Sequence, residues 1–353
     1  MHCIARRWPS GRSVSAPHEH GRSGQRSLVM SESSGGSRAT NHEGNSMRAA
    51  MYDRYGSANV LTIVERPEPA MQDLMVEVVA SSVNPKDTFV RKGRFKHQAG
   101  ARFPKGTGYD FAGIVIDSRV DDMPVGTPVY GMLRGWEGRA AADLVSCRRQ
   151  EAAPAPRSLP LVDSAAMPLA GLTALQALRD NASLKPGQSV LINGASGGVG
   201  TYAIQIAKAL GAEVTSVSSS ASQEHCRRLG ADHTHDYGRG RLPPGQRYDA
   251  VFDVFGNLSR REVSAVLKRT GRHITTVPSA ANMAATALTR FLPQRTSLVV
   301  VRSNHDDLRE LSRFVQDGVL VPEVQRRYPL TEVAAAHAHV ESKHTRGKVL
   351  LVN

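Results

Sequence analysis

The chain has 353 residues and a formal net charge of +13, with 45 Lys and Arg against 32 Asp and Glu. Its length predicts two domains, and no apolar run approaches the roughly 20 residues that a membrane helix needs. Three widely spaced cysteines, Cys3, Cys147 and Cys226, exclude a disulfide framework or a cysteine-rich zinc lobe and suit a reducing compartment, which we take to be the cytoplasm.

Residues 1–46 are rich in Ser, Arg, Gly and His and lack apolar periodicity. Such a segment buries too little surface to offset its ordering entropy. Its composition also resembles an organelle transit peptide. We favour a disordered tail or a misassigned start over targeting, because a structured pattern begins at Met47.

Short apolar runs bounded by prolines and glycines follow Met47 and predict a compact, irregular β-domain over residues 47–165. The predicted strands lie within residues 61–69, 74–85, 110–118, 126–132 and 141–147.

From residue 166 to 302, apolar strand patterns alternate with helical ones. This alternation predicts an α/β domain with a doubly wound parallel sheet. Strands are expected at 190–192, 212–220, 248–256, 271–277 and 296–304, and helices at 164–180, 201–211, 222–230 and 259–269. Residues 303–353 add helices at 305–318 and 330–342 and a final strand at 347–353.

The strongest local motif is the run Gly194-Ala195-Ser196-Gly197-Gly198-Val199-Gly200, between an apolar strand and a helix. Small residues let the backbone turn tightly and approach a pyrophosphate, and the helix N-terminus offers N–H groups to that anion. A glycine motif alone also suits a packing turn. The strand–loop–helix setting favours a dinucleotide site instead.

The end of the following strand indicates which dinucleotide is bound. An NAD site usually places Asp or Glu there to bind the ribose 2′-hydroxyl. This chain has Val217-Ser218-Ser219-Ser220-Ala221, with hydroxyls that can donate to a 2′-phosphate. We therefore expect NADPH, and the alternative is a serine-rich turn without selectivity.

From Met47 onward the chain resembles the zinc-independent, zeta-crystallin-like quinone oxidoreductases of the medium-chain dehydrogenase/reductase superfamily. The resemblance rests on the segments VVASSVNPKDTFVRKG, GTGYDFAGIV, PLAGLTALQAL, VLINGASGGVGTYAIQIAKALGAEV, LGADHTHDY, YDAVFDVFG and HTRGKVLLVN. It implies a GroES-like irregular β-barrel domain at 47–165, completed by 303–353, with a Rossmann-type domain inserted at 166–302.

The resemblance also implies contacts with the cofactor. Asn84 would approach the nicotinamide ribose, and the backbone at Val277 would meet the nicotinamide. Thr173 would lie near the cofactor at the start of a helix. Ser196, Gly197, Gly198 and Val199 would hold the pyrophosphate. The remaining positions would lie near the adenosine phosphates or elsewhere along the cofactor: Ser218, Ser219, Tyr237, His344 and Arg346.

Two departures from the family pattern concern phosphate binding and proton donation. Relatives often carry Arg or Lys where this chain has Ala221, and Arg227 or Arg228 are the substitutes considered. Phe89 replaces a tyrosine found in some quinone reductases, and we read Asp87 as a structural hydrogen-bonding group. No catalytic acid is nominated.

Zinc is not expected. Zinc-dependent members have a cysteine in the Asn84 region and Gly-His-Glu where this chain has Gly108-Tyr109-Asp110. Histidine pairs such as His233/His235 and His337/His339 lack partners at zinc-site spacing.

The sequence thus predicts a homodimeric enzyme that transfers a hydride from NADPH to a quinone or activated alkene. An enoyl or 2-alkenal reductase is the alternative on the same fold. A non-catalytic NADPH-sensing or RNA-binding protein is the alternative from another class. Nucleic acid is not the preferred partner, since the arginines are scattered and no nucleic-acid-binding motif is present.

Overall fold

The computed structural model describes residues 46–343 and 345–353, and strands alternate with helices chiefly in the middle of the chain. The strands are β1 Ser46–Tyr52, β2 Thr62–Pro67, β3 Leu74–Val83, β4 Lys105–Gly106, β5 Asp110–Ser118, β6 Pro128–Met132, β7 Leu144–Cys147, β8 Ala152–Pro154, β9 Ser189–Asn193, β10 Glu213–Ser218, β11 His233–Asp236, β12 Tyr248–Asp253, β13 Leu267–Thr275, β14 Arg295–Leu298, β15 Val324–Pro329 and β16 Lys348–Val352.

The α-helices are α1 Pro85–Arg91, α2 Lys96–Ala99, α3 Leu161–Ser164, α4 Pro168–Leu175, α5 Gly198–Ala209, α6 Gln223–Arg228, α7 Arg260–Val266, α8 Ala280–Leu288, α9 His305–Gln316 and α10 Val333–Glu341. A π-helical segment, Gln176–Asn181, extends α4. Single 3-10 turns lie at Ala58–Val60, Arg149–Glu151, Ser220–Ser222, Tyr237–Arg239 and Leu330–Glu332.

A mixed sheet in the order β15-β16-β3-β5-β6-β8 joins the C-terminal strands β15 and β16 to strands from the first part of the described chain, and β7 pairs with β3. β16 runs antiparallel to β3 and parallel to β15. The C-terminal segment therefore completes the sheet that β3 begins, as the family resemblance implies. A small sheet in the order β2-β1-β4 adjoins it through the Ala49–Ala142 bridge.

The middle of the chain forms a parallel sheet in the order β11-β10-β9-β12-β13-β14. Its central strands are apolar and buried, as in Val190-Leu191-Ile192 of β9, because helices cover both faces of such a sheet. The predicted doubly wound parallel sheet is confirmed. The domain limits at 46/47, 165/166 and 302/303 stay predictions.

Three sequence expectations differ from the structure. The strand expected over 296–304 ends at Leu298, because its neighbour β13 ends at Thr275. The last hydrogen bond between the two segments runs from Val299 N–H to the Thr275 carbonyl oxygen. The helix expected over 259–269 ends at Val266, where the chain turns directly into β13. Residues 280–288, where no element was expected, form α8, in which alanines favour helix and the Ser279 side chain accepts from Asn282 N–H.

Candidate cofactor and active site

The glycine loop turns sharply between β9 and α5. Gly194 has φ +83°, and a Cβ added to Gly200 would lie 2.2 Å from the Gly194 carbonyl oxygen, so both positions require glycine. Gly197 is the N-cap of α5, and the first turn consists of small residues. Within the described residues no side chain caps this helix, so its N-terminal N–H groups are placed to bind an anion.

The C-terminal segment packs directly against this loop. Gly347 N–H donates to the Ser196 carbonyl at 3.3 Å, and Gly347 forms a bridge with Gly197. The Cδ of Lys348 lies 3.2 Å from the position that a Cβ on Gly198 would occupy. Residues 347 and 348 therefore link the loop to the mixed sheet.

Lys348 reaches from the glycine loop to a buried polar cluster. Its ammonium donates to Asn84 Oδ1 and lies 3.5 Å from Asp110 Oδ2. Asn84 Nδ2 in turn donates to Asp110 Oδ2 at 2.9 Å. The same carboxylate accepts from Ser82 Oγ at 2.6 Å and from Leu169 N–H at 2.9 Å. The Asn84 amide is thus held in one orientation at the start of α1.

Burial governs the protonation of this cluster. Burial lowers the pKa of Lys348, although the negative charges of Asp110 and Asp87 oppose the change. Burial also raises the pKa of Asp87 to about 6, against hydrogen bonds from the Asn84 and Gly108 N–H groups. Asp87 thereby closes the capping box of α1, which agrees with its reading as a structural group.

Lys86 follows Asn84 in the first turn of α1. Its Nζ is 3.6 Å from the ring centroid of Tyr109 and 2.9 Å from the Gly135 carbonyl oxygen. The Trp136 ring centroid is 5.4 Å away, and Phe95 packs on Trp136 at a centroid distance of 4.8 Å. Burial lowers the pKa of Lys86, opposed by the charges of Asp87 and Asp110.

The predicted adenosine-end residues Ser218, Ser219 and Tyr237 come together at one end of the parallel sheet. Ser218 pairs with Asp236 in the β10–β11 register, which brings Tyr237 beside Ser219. Ser218 is buried, whereas the Ser219 hydroxyl donates to Ser222 Oγ at 3.2 Å and Tyr237 is 56% exposed.

The structure separates the two arginines considered as phosphate ligands. Arg227 pairs with Glu224 and donates to Thr234 Oγ1. Arg228 instead turns back along α6 and lies 3.1 Å from His225 Nδ1, on the helical face that Ser222 begins. Burial, together with the positive charges of Arg228 and Arg346, lowers the pKa of His225, although Glu323 opposes it.

Val277 and Arg346, two further predicted cofactor contacts, have the following surroundings. Val277 follows β13, and its carbonyl oxygen accepts from Asn282 Nδ2 at 2.9 Å. Arg346 adjoins Gly347, and its N–H donates to Gln325 Oε1. His344 lies outside the described residues.

Thr173, expected at the start of a helix, lies inside α4. The helix begins five residues earlier, at Pro168, since proline is favoured in a first helical turn. The Thr173 hydroxyl is buried and donates to the Leu169 carbonyl at 2.6 Å.

Within residues 46–343 and 345–353, no group of three or more His, Cys, Asp or Glu side chains is arranged to hold a metal. The carboxylates nearest Asn84 are taken up by backbone N–H groups, hydroxyls and Lys348. A separate finding is that no helix of the described chain is long and apolar enough to cross a membrane.

Sequence reasoning missed Lys86, Asp110 and Lys348 as site residues. A charged side chain inside the apolar segment Gly347–Val352 was the one signal for Lys348. The Lys86 and Asp110 positions gave no comparable signal.

Comparisons with known families agree with this architecture. Residues 70–155 match the alcohol dehydrogenase GroES-like domain family, and residues 229–351 match a family described as zinc-binding dehydrogenase.

Among similar proteins is the chloroplastic NADPH-dependent alkenal/one oxidoreductase of Arabidopsis thaliana, 30% identical over 86% of this chain and 79% of the relative. A chloroplast envelope quinone oxidoreductase homolog from the same plant is 28% identical over 87% and 99%.

Two solved structures are also similar. The quinone oxidoreductase of Coxiella burnetii superposes with a TM-score of 0.79 at 30% identity, covering 88% of this chain and all of that one. Escherichia coli quinone oxidoreductase complexed with NADPH superposes with a TM-score of 0.76 at 25% identity, covering 87% and 100%.

Proposed function

Because the chain belongs to the quinone oxidoreductase group of the medium-chain dehydrogenase/reductase superfamily, we propose that it transfers a hydride from NADPH to a quinone or a 2-alkenal without a metal. One observation carries the proposal. The uncapped helix N-terminus after the glycine loop is joined, through Gly347 and Lys348, to the buried Asn84 and Asp110. Two adjacent residues, Gly347 and Lys348, thus link the proposed anion site at the glycine loop to the polar cluster around Asn84.

The proposed cofactor contacts follow this connection. The backbone of Ser196, Gly197, Gly198 and Val199 would hold the pyrophosphate at the start of α5. Asn84 and Val277 would lie toward the nicotinamide and Ser218, Ser219 and Tyr237 toward the adenosine phosphates. Thr173, His344 and Arg346 would lie near the cofactor.

We propose NADPH over NADH on the basis of charge. The end of β10 offers the Ser219 hydroxyl and no carboxylate at the usual NAD position. Arg228 and Arg346 both act electrostatically on His225, one helical turn beyond Ser222. A 2′-phosphate bound there would gain charge-assisted hydrogen bonds that NADH cannot form.

The nicotinamide, when bound, supplies the hydride. The chain's own residues then position the two reactants, an effect that can contribute about 7–11 kcal/mol to a well-aligned step. Asn84 suits this role because Lys348 and Asp110 fix its amide. Quinones and conjugated carbonyls accept a hydride without a Lewis acid because the charge spreads onto oxygen.

The proposal is tested by following NADPH oxidation at 340 nm with menadione or trans-2-hexenal as the acceptor, with NADH in place of NADPH as the control. Turnover with either acceptor and NADPH supports it, and the preferred acceptor separates the quinone reductase from the 2-alkenal reductase. Salt-sensitive RNA retention without turnover would instead support the non-catalytic alternative, which none of the similar proteins above favours by name.

We also propose a homodimer that pairs through the edge of the parallel sheet. β14 is the terminal strand of that sheet, and the nearby Val300 and Phe291 are 69% and 88% exposed. An unpaired edge with apolar neighbours otherwise favours aggregation. Light scattering at micromolar concentration is expected to give twice the 38.1 kDa chain mass, and a single-chain mass would refute the dimer.

We propose the cytoplasm as the location, although two of the similar proteins carry chloroplast in their names. Attaching residues 1–46 to a fluorescent protein tests this, since import into an organelle would contradict it.

A further inference from the structure

We propose that Lys86 is the acid that protonates the oxygen of the acceptor during hydride transfer. The role rests on the proposed function and supplies the proton donor that the sequence did not identify. The supporting features are the position of Lys86 beside Asn84, its desolvated aromatic setting and its remaining hydrogen-bonding capacity.

Lys86 is close to Asn84 in the chain. Lys86 is two residues from Asn84, in the turn that opens α1. Asn84 contacts Lys348, whose neighbour Gly347 pairs with Gly197 of the glycine loop. Lys86 thus lies in the turn that follows Asn84, close enough to Asp110 for that carboxylate to raise its pKa.

Two aromatic rings lie beside the ammonium group of Lys86. The ammonium lies over the Tyr109 ring at 3.6 Å and near Trp136 at 5.4 Å. These rings attract the cation and also exclude water from it. Because Trp136 is 37% exposed and Phe95 packs on it, a flat conjugated acceptor has an aromatic surface beside the ammonium.

Hydrogen-bonding capacity is the third argument. A lysine ammonium has three N–H donors. Within the described part of the chain, Gly135 accepts one at 2.9 Å and the Tyr109 ring face lies beneath the ammonium. A donor therefore remains for an incoming carbonyl oxygen.

Charges around Lys86 make proton release feasible. Burial lowers its pKa below the usual lysine value, which brings proton release closer to the working pH. Asp87 and Asp110 raise the same pKa, and so keep the ammonium protonated before the reaction. Tyr109, the residue before β5, stays neutral because burial raises the pKa of its hydroxyl.

The step balances as follows. A hydride from the nicotinamide forms a C–H bond on the acceptor, so NADPH loses two electrons and the conjugated acceptor gains them. The acceptor oxygen takes the electron pair and then the proton from Lys86 Nζ. Water returns a proton to the neutral amine, so the net reaction consumes NADPH, one proton and the acceptor.

The test compares Lys86→Met and Lys86→Arg with the exposed Lys96→Met as the matched control. For Lys86→Met we expect kcat/KM with trans-2-hexenal to fall about 100-fold or more, as for loss of a general acid. The wild-type decline of activity at alkaline pH should vanish. Arginine keeps the charge but does not release a proton, so Lys86→Arg should bind the acceptor and still turn over slowly.

Binding gives a readout that is independent of turnover. The chain has two tryptophans, Trp8 and Trp136, so a Trp8→Phe background leaves Trp136 as the sole reporter. Quenching by menadione should weaken about tenfold in Lys86→Met and little in Lys86→Arg. The affinity for NADPH should stay within about twofold in both.

Two failures can be told apart. If wild type turns over an acceptor and Lys86→Met keeps its kcat/KM and alkaline decline, Lys86 is not the acid. If wild type reduces no quinone or alkenal, the proposed function fails, and the acid role fails with it. Should Lys86→Met not fold, the Lys86→Arg variant decides, because wild-type turnover in that variant would overturn the proposal.

Discussion

The ammonium nitrogen of Lys348 lies 3.5 Å from a carboxylate oxygen of Asp110, and both side chains are almost completely buried. Lys348 is the first residue of the last strand, β16, and Asp110 is the first residue of β5. The pair fixes Asn84 between them and joins the glycine loop to the mixed sheet.

Replacing Lys348 with an uncharged residue should lower the free energy of unfolding. Lys348→Met leaves the Asp110 carboxylate buried without its counter-charge, and breaking such a pair typically costs about 3–5 kcal/mol. Urea unfolding is expected to show a loss of that order, with part recovered in Lys348→Met/Asp110→Asn. The exposed Lys185→Met should change stability by less than about 0.5 kcal/mol. Equal unfolding midpoints for Lys348→Met and wild type would contradict the inferred pair.

The glycine loop offers a matched pair of substitutions. A Cβ at Gly197 has its nearest neighbour at 3.5 Å, so Gly197→Ala should fold with a near-normal melting temperature. A pyrophosphate at the helix N-terminus would meet that methyl group, so the Kd for NADPH should rise at least about tenfold. Gly200→Ala should lose about 1–3 kcal/mol of stability, because its Cβ meets the backbone at 2.2 Å. Unchanged NADPH binding by Gly197→Ala would place the cofactor elsewhere.

Cofactor choice should depend on Arg228 and not on Arg227. Hydrogen bonds to charged groups contribute about 1.5–3 kcal/mol, so Arg228→Gln should weaken NADPH binding about 10- to 100-fold and leave NADH binding unchanged. Arg227→Gln is the matched control, since its side chain is engaged with Glu224 and Thr234. Fluorescence titration with both cofactors measures the difference, and an equal effect of the two variants would refute the assignment.

Acid should destabilise the protein through His337. Burial, aided by the positive charge of Arg91, lowers the pKa of this histidine to about 3. A depressed histidine pKa means that its contribution to stability is complete above the unfolded value of about 6.5 and is lost as pH falls toward 3. The free energy of unfolding should fall by up to about 1.4 kcal/mol per pH unit from this group.

His337→Gln should flatten that dependence, while Thr107 keeps a neutral partner at its hydroxyl. His273, whose pKa burial lowers to about 4, contributes with the same sign and leaves a residual slope. The exposed His97→Gln should behave like wild type. Urea unfolding of wild type, His337→Gln and His97→Gln between pH 4 and 7 measures how the free energy of unfolding depends on pH. A slope in His337→Gln equal to that of wild type would contradict the prediction.

The sequence by itself determined what depends on neighbouring residues. The glycine loop, the flanking strand and helix, and the alternation that makes the sheet parallel were all predictable, because turn chemistry and apolar periodicity act over a few residues. The end of β14 was not, since it depends on where the neighbouring strand β13 ends. The helix α8 was missed although its alanines and its Ser279 cap are local signals.

Only the tertiary structure decided which charges meet. Asn84 and Lys348 are 264 residues apart, and their contact depends on β16 pairing with β3. Arg227 and Arg228 are adjacent in sequence, yet helical geometry sends them to different partners. Electrostatic contacts follow distance in the folded chain, and sequence patterns do not encode that distance.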